Sequence, residues 1–235
     1  MESEALKKYR EKEAKKLEIN LKLLESGVEF VDLNTAYIDE TVKIGAGTVV
    51  GPCVTLEGET VIGENCILGQ NSRIKDSTVG NGVEIQSSVI LESSVGDGTK
   101  VGPFAYLRPK SNVGKNCKVG NFVEVKNSTF GDGSKASHLT YIGDSDVGCD
   151  VNLGCGVVFV NYDGSKKYRT TVGDGAFIGC NSNLISPVNV GDGAYVAAGS
   201  TVVEDVEGDA LYIGRVKGVQ KEGWVSKKGI LKKKK

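Results

Sequence analysis

From Ile38 onward an aliphatic residue returns every sixth position, through Ile44, Val50, Leu56, Ile62, Leu68 and Ile74. After a five-residue step the beat resumes at Val79 and Ile85 and runs on through Ile90, Val95, Val101, Leu107, Val113, Val119 and Val125. Further short steps lead to Phe130, Ala136, Ile142, Val147, Leu153 and Phe159. The next residue is usually Gly, as in IGAGTV, IGENCI, VGDGTK and VGDGAF, and a small or β-branched residue commonly stands four after the aliphatic. A repeat this short and sustained is the signature of a solenoid, and the six-residue period is that of a parallel β-helix. Each hexapeptide makes a short flat strand with its aliphatic side chain inward, then a bend where Gly, Asn or Asp tolerates positive φ. Three such faces close one prism-shaped coil. About 28 hexapeptides give roughly nine coils at strand spacing, a body about 40 Å long.

The composition suits that fold. Of 235 residues 39% are hydrophobic but only 6% aromatic, and 32 are Gly, which fits a thin aliphatic core with many turns. The net charge of −1 gives no sign of a nucleic-acid or membrane partner. The six cysteines form no CxxC pair, no apolar run approaches membrane-spanning length, and MESEALKKYR lacks the apolar core of a secretion signal. The expectation is a cytoplasmic, reduced chain whose cysteines are small packing residues.

Residues 1–27 form a separate, linker-like unit. Glu4/Lys8, Glu11/Lys15 and Glu18/Lys22 are i,i+4 pairs in the favourable order, and aliphatics stand at Leu17, Leu21 and Leu24. This predicts a solvated amphipathic α-helix ending at Gly27, ahead of a β-helix domain over 28–224 and a basic tail over 225–235 that closes on Lys232–Lys235.

The beat breaks once, between Phe159 and Val172, where the polar interval VNYDGSKKYRT must bulge out of the coil. Shortly before it, in ASHLTYIGDSDVG, stands His138, the sole histidine of the chain. A zinc-dependent hexapeptide enzyme binding metal through three histidines is excluded by that count.

The stretches VGPFAYLRPKSNVG, VGNFVEVKNSTFGDGSKASHLTYIGD, VNLGCGVVFVNYDGSKKYRTTVGDGAFIGCNSNLISPV, AAGSTVVEDV and GRVKGVQKEGW closely resemble one family. It is the acetyltransferase half of the bacterial bifunctional glucosamine-1-phosphate acetyltransferase / N-acetylglucosamine-1-phosphate uridyltransferase. The resemblance runs over about residues 28–224 and is most specific from 101 onward. It implies a left-handed β-helix, against the usual right-handed crossover. It also implies a homotrimer with sites between neighbouring helices, and acetyl transfer from acetyl-CoA to the 2-amino group of glucosamine 1-phosphate. No metal is expected for that step. The family's Gly-rich nucleotide loop has no counterpart in residues 1–37, so uridyl transfer is not expected of this chain and a separate uridyltransferase is a possible partner.

On this resemblance His138 matches the general base that takes the proton of the amine. Glu124 matches a carboxylate that could orient the imidazole and stabilise its cation. Arg108, Lys126 and Lys167 match cations for the sugar phosphate, and Tyr141 and Asn152 match substrate-contacting positions. Cys155, Asn161, Tyr162, Cys180, Ala198 and Arg215 fall on positions contacting acetyl-CoA. Cys155 and Cys180 stand where other members carry Ala and Ser, so direct attack is expected rather than a ping-pong route through an acetyl-cysteine. Two rival readings are an acyltransferase for another amino-sugar or nucleotide-sugar and a trimeric scaffold without catalysis.

Overall fold

A computed structural model describes residues 2–229 of the chain. The coil is a left-handed β-helix of three parallel sheets, with eleven strands on the first face, ten on the second and nine on the third. The nine strands of the third face set the number of complete coils at nine. Each strand pairs only with the strand one coil before and one coil after, as in Lys100–Lys118 on the first face, Tyr106–Glu124 on the second and Asn112–Thr129 on the third.

The inward residues are those of the six-residue beat. Leu56, Ile74, Ile90, Leu107, Val125, Phe130, Ile142 and Phe159 are fully buried along the axis, and only Ile44, near the first coil's edge, is partly open. A second inward column of small residues fills the corners. There hydroxyls satisfy the backbone of adjacent coils: the Ser128 Oγ accepts from the Ser145 amide at 3.0 Å and stands 3.1 Å from the Ser145 Oγ. Glycine follows the aliphatic residue because the next coil is too close for a side chain. A Cβ on Gly131 would come within 2.4 Å of the Gly148 backbone. The short steps in the sequence close coils of 16 or 17 residues, since Arg73 pairs with Val89 and Val89 with Tyr106.

The helix α1 (Glu4–Glu25) caps the first coil, with the Ser3 hydroxyl accepting from the Leu6 amide. Its packed face is not the Leu17, Leu21 and Leu24 row, which is exposed. Ile19 and Leu23 pack on the core instead, and buried Asn20 donates from Nδ2 to the carbonyls of Leu33 (2.8 Å) and Ala36 (3.1 Å). Unpaired carbonyls at the open end of a solenoid need a donor, and Asn20 supplies it. The Glu4–Lys8 and Glu18–Lys22 pairs form at 2.8 and 2.7 Å, whereas Lys15 reaches Glu40 at 2.9 Å rather than Glu11.

The cysteines divide. Cys66 and Cys117 are buried, and burial raises both thiols above their ordinary pKa. Cys53, Cys149 and Cys180 are exposed and Cys155 is half-buried, so packing does not account for these four. After the last strand, at Leu211–Tyr212, the chain runs without regular structure to a one-turn helix, α2 (Trp224–Lys227). Residues 230–235 of the expected tail, with Lys232–Lys235, lie outside the described residues. No helix among the described residues is long and apolar enough to cross a membrane.

Candidate functional site

The sequence-predicted residues fall on two corners of the prism: His138, Cys155, Cys180 and Ala198 where first-face strands turn into the second face, and Arg108, Lys126 and Asn161 where second-face strands turn into the third. Asn121 pairs in register with His138. The next first-face registers are Ala136–Leu153, Leu153–Ile178 and Ile178–Val196. Two residues beyond each, the same position is held by His138, Cys155, Cys180 and Ala198. Asn121, His138, Cys155, Cys180 and Ala198 therefore form one column, each about 4.8 Å from the next. Arg215 extends it, donating from Nε to the Ala198 carbonyl at 2.9 Å.

His138 is exposed at the end of its strand, and its Nδ1 lies 2.5 Å from the Asn121 Oδ1. An amide oxygen only accepts, so Nδ1 carries the hydrogen of this bond. Asn121 was not singled out from the sequence. The signal that could have found it is the coil length: it precedes His138 by 17 residues, one shortened coil.

Glu124 is not brought to the imidazole. It accepts from Arg108 Nη1 at 2.8 Å, and that carboxylate holds the guanidinium pKa above its ordinary value. Arg108 and Lys126 sit on adjacent coils of the second face and, with Pro109, Lys110 and Asn127, line a concavity of about 320 Å³. Tyr141 pairs with Glu124 one coil further on, three residues beyond His138.

Beneath the concavity lies Asp144, only 5% exposed. It accepts from Lys126 Nζ with both oxygens at 2.9 Å, from Asn127 Nδ2 at 2.6 Å and from Asn161 Nδ2 at 2.5 Å. Burial alone would raise this carboxyl, but Asn127, Lys126 and Asn161 together hold it below the usual range. Burial likewise works against the Lys126 ammonium, yet Asp144 keeps its pKa above the ordinary value. Lys167 arrives from the bulge beside Lys126, and that neighbouring ammonium pulls the Lys167 pKa down. Two ammonium groups brought together beside Arg108 make a place for a polyanion.

The bulge itself is built. Tyr162 bridges antiparallel to Lys167, the Tyr162 hydroxyl donates to the Gly164 carbonyl at 2.6 Å, and Asp163 Oδ1 accepts from the amides of Ser165 and Lys166, each at 2.7 Å. Arg169 pins its base to Asp146 through two bonds, at 2.9 and 2.6 Å. Asn161 at the other end is buried, tied to Asp144, with Tyr141 Oη 3.4 Å away, while Tyr162 is exposed. Asn152 is the outlier: it lies on the first face, between Lys135 and Phe177, round the corner from the three cations. Among the described residues no group of three His, Cys, Asp or Glu side chains could hold a metal ion.

The bacterial transferase hexapeptide (six repeats) family matches residues 92–127 and 169–203, and the GMPPB C-terminal domain family matches 33–108. The chain is 52% identical over 212 residues to the bifunctional protein GlmU of Alkaliphilus metalliredigens (strain QYMF), covering 90% of this chain and 46% of that protein. With GlmU of Clostridium botulinum (strain Kyoto / Type A2) it is 54% identical over 215 residues, covering 92% and 47%. It spans about half the length of the curated relatives it matches. Among solved structures, the UDP-N-acetylglucosamine acyltransferase from Campylobacter jejuni aligns with 85% of this chain and 77% of that one, at 18% identity and a TM-score of 0.43. The chain is thus homologous to GlmU over about 90% of its own length, and the match falls on the acetyltransferase half of that protein.

Proposed function

We propose that this chain transfers acetyl from acetyl-CoA to the 2-amino group of glucosamine 1-phosphate, giving N-acetylglucosamine 1-phosphate in the cytoplasm. The observation that carries this reading is a concavity lined by Arg108 and Lys126 and flanked by Lys167, across the second face from the exposed His138, whose Nδ1 meets Asn121. The phosphate would take the cations and compete with Glu124 for Arg108. The sugar amine attacks the thioester carbonyl, its proton passes to His138 Nε2, and the carbon–sulfur bond breaks to release CoA as the thiolate, which is then protonated. Asn121 would keep the imidazole in the tautomer that accepts. Tyr141 and Asn152 would contact the sugar, and the column of Cys155, Cys180 and Ala198, with Asn161, Tyr162 and Arg215, would hold the acyl donor.

The assembly proposed is a homotrimer. Phe104, Phe122 and Leu139 follow Pro103, Asn121 and His138 at the same corner and are exposed at 59, 57 and 56%. All three are held at positive φ, 60°, 57° and 48°, a conformation costly for bulky side chains, and the two phenyl rings stack with centroids 5.5 Å apart. An apolar ridge kept at such expense beside His138 supports burial against a second copy, which would also bring another first face, with its Asn152, toward the cations.

The test is free-CoA release by the purified chain with glucosamine 1-phosphate, glucosamine and UDP-glucosamine in parallel. Release with glucosamine 1-phosphate alone is expected. Equal release with glucosamine would remove the role given to the cations, faster release with UDP-glucosamine would move the enzyme to a nucleotide-sugar, and no release with any acceptor would leave a scaffold.

A further inference from the structure

Cys155 and Cys180 occupy adjacent steps of the column that begins at Asn121. Each is the first residue of the turn following a first-face strand, and each is followed by a residue at positive φ, Gly156 (76°) and Asn181 (53°). The Asn181 amide donates to the Cys155 carbonyl at 2.8 Å, which locks the two turns one above the other. Their backbones therefore run alike, and their Cα atoms are separated by one coil step, about 4.8 Å, inside the range a disulfide spans. The Cys180 Sγ also leans back over the coil of Cys155, lying 3.0 Å from where a Cβ on Gly154 would stand. Gly154 leaves that space open. Cys180 is exposed and Cys155 half-buried, so one thiol meets solvent and the other waits behind it.

We infer that Cys155 and Cys180 form a dithiol site that low-molecular-weight disulfides oxidise to an intramolecular disulfide. The Cys180 thiolate attacks one sulfur of the incoming disulfide, forming a mixed disulfide and expelling one thiolate. The Cys155 thiolate then attacks the Cys180 sulfur, forming the Cys155–Cys180 bond and expelling the second thiolate. Two protein thiols are oxidised, one small disulfide is reduced to two thiols, and both protons leave with them. Resting on the proposed function, the new bond would also obstruct the column along which the acyl donor lies, two steps from His138, so that oxidation halts acetyl transfer and reduction restores it.

The test uses the whole chain and oxidised glutathione, with peptide mapping by mass spectrometry and free-CoA release on the same samples. Wild type is expected to yield a peptide linking residues 155 and 180 and to lose at least about 10-fold of its acetyl transfer, recovered with dithiothreitol. Cys180→Ser, compared with its own reduced rate, is expected to be insensitive to the oxidant. Persistent glutathione on both cysteines, or on neither, without the linking peptide would overturn the dithiol site. A linked protein that retains full turnover would overturn its effect on the reaction. A reduced protein without acetyl transfer would count against the proposed function, while the linking peptide would still decide the dithiol site.

Discussion

Asn121 and His138 stand on adjacent coils in direct register, and the amide oxygen of one takes the Nδ1 hydrogen of the other. The imidazole is thereby tied to the coil through Nδ1 while the residue stays exposed. A hydrogen bond to a group that becomes charged during turnover is worth about 1.5–3 kcal/mol, so Asn121→Ala should lower kcat about 10-fold or more. Asn121→Asp places a carboxylate against the imidazolium and should move the acid limb of the kcat/KM profile to higher pH. An unmoved limb in a folded Asn121→Asp protein would show that this contact does not set the basicity of His138.

His138→Ala should leave the coil folded, since the side chain is exposed, and lower kcat by roughly 10²-fold or more with little change in KM for acetyl-CoA. Steady-state kinetics on the purified variant check this. Near-normal turnover would remove the general-base role.

Asp144→Asn should raise KM for glucosamine 1-phosphate about 10-fold by releasing Lys126 and Asn161 together, while kcat falls less. Its carboxyl is held below the usual range in the folded chain. The stability it contributes is therefore full above the unfolded carboxyl pKa of about 3.9 and is lost as pH falls further, through the folded value. Acid unfolding followed by circular dichroism should show a smaller stability loss below about pH 4 for Asp144→Asn than for the parent.

Phe122→Glu puts a charge into the ridge shared with Phe104 and Leu139. Light scattering should give three times 24.8 kDa for the parent and a smaller species for the variant, with acetyl transfer lost in step. A monomeric parent with full activity would confine the site to one chain.

The inward half of this molecule could be read from the sequence because the geometry repeats. Every coil must deliver an apolar group to the same axis, so Leu107, Val125 and Ile142 declare themselves by spacing, and the break after Phe159 marks the bulge. Phe130, fully buried, is a direct check: Phe130→Ala should cost about 3–5 kcal/mol in denaturant unfolding. Outward positions obey no such rule. Asn121 and Asp144 look like any polar residue at a bend, and their partners, 17 or 18 residues away, are settled only by which coils are shortened. The face that α1 turns to the core escaped for a related reason. Helical periodicity favoured Leu17, Leu21 and Leu24, whereas the open end of the coil required the hydrogen-bonding capacity of Asn20. Glu124 matches a carboxylate for the imidazole only on resemblance, and its hydrogen bond to Arg108, one coil back, had no signal in the sequence.

The nine-residue excursion between Val160 and Thr170 leaves the pairing of Val158 with Asn183 on one face and Asp146 with Thr171 on another undisturbed. A screw thread keeps its pitch when a burr is raised on its crest, and this coil does the same. Closing a longer excursion adds only a logarithmic entropy term, about 0.6 kcal/mol for each doubling. Under the proposed function, acceptor preference would be rewritten in the length and charge of that burr, with Lys167 at its return, while the pitch that spaces His138 from Ala198 stays fixed.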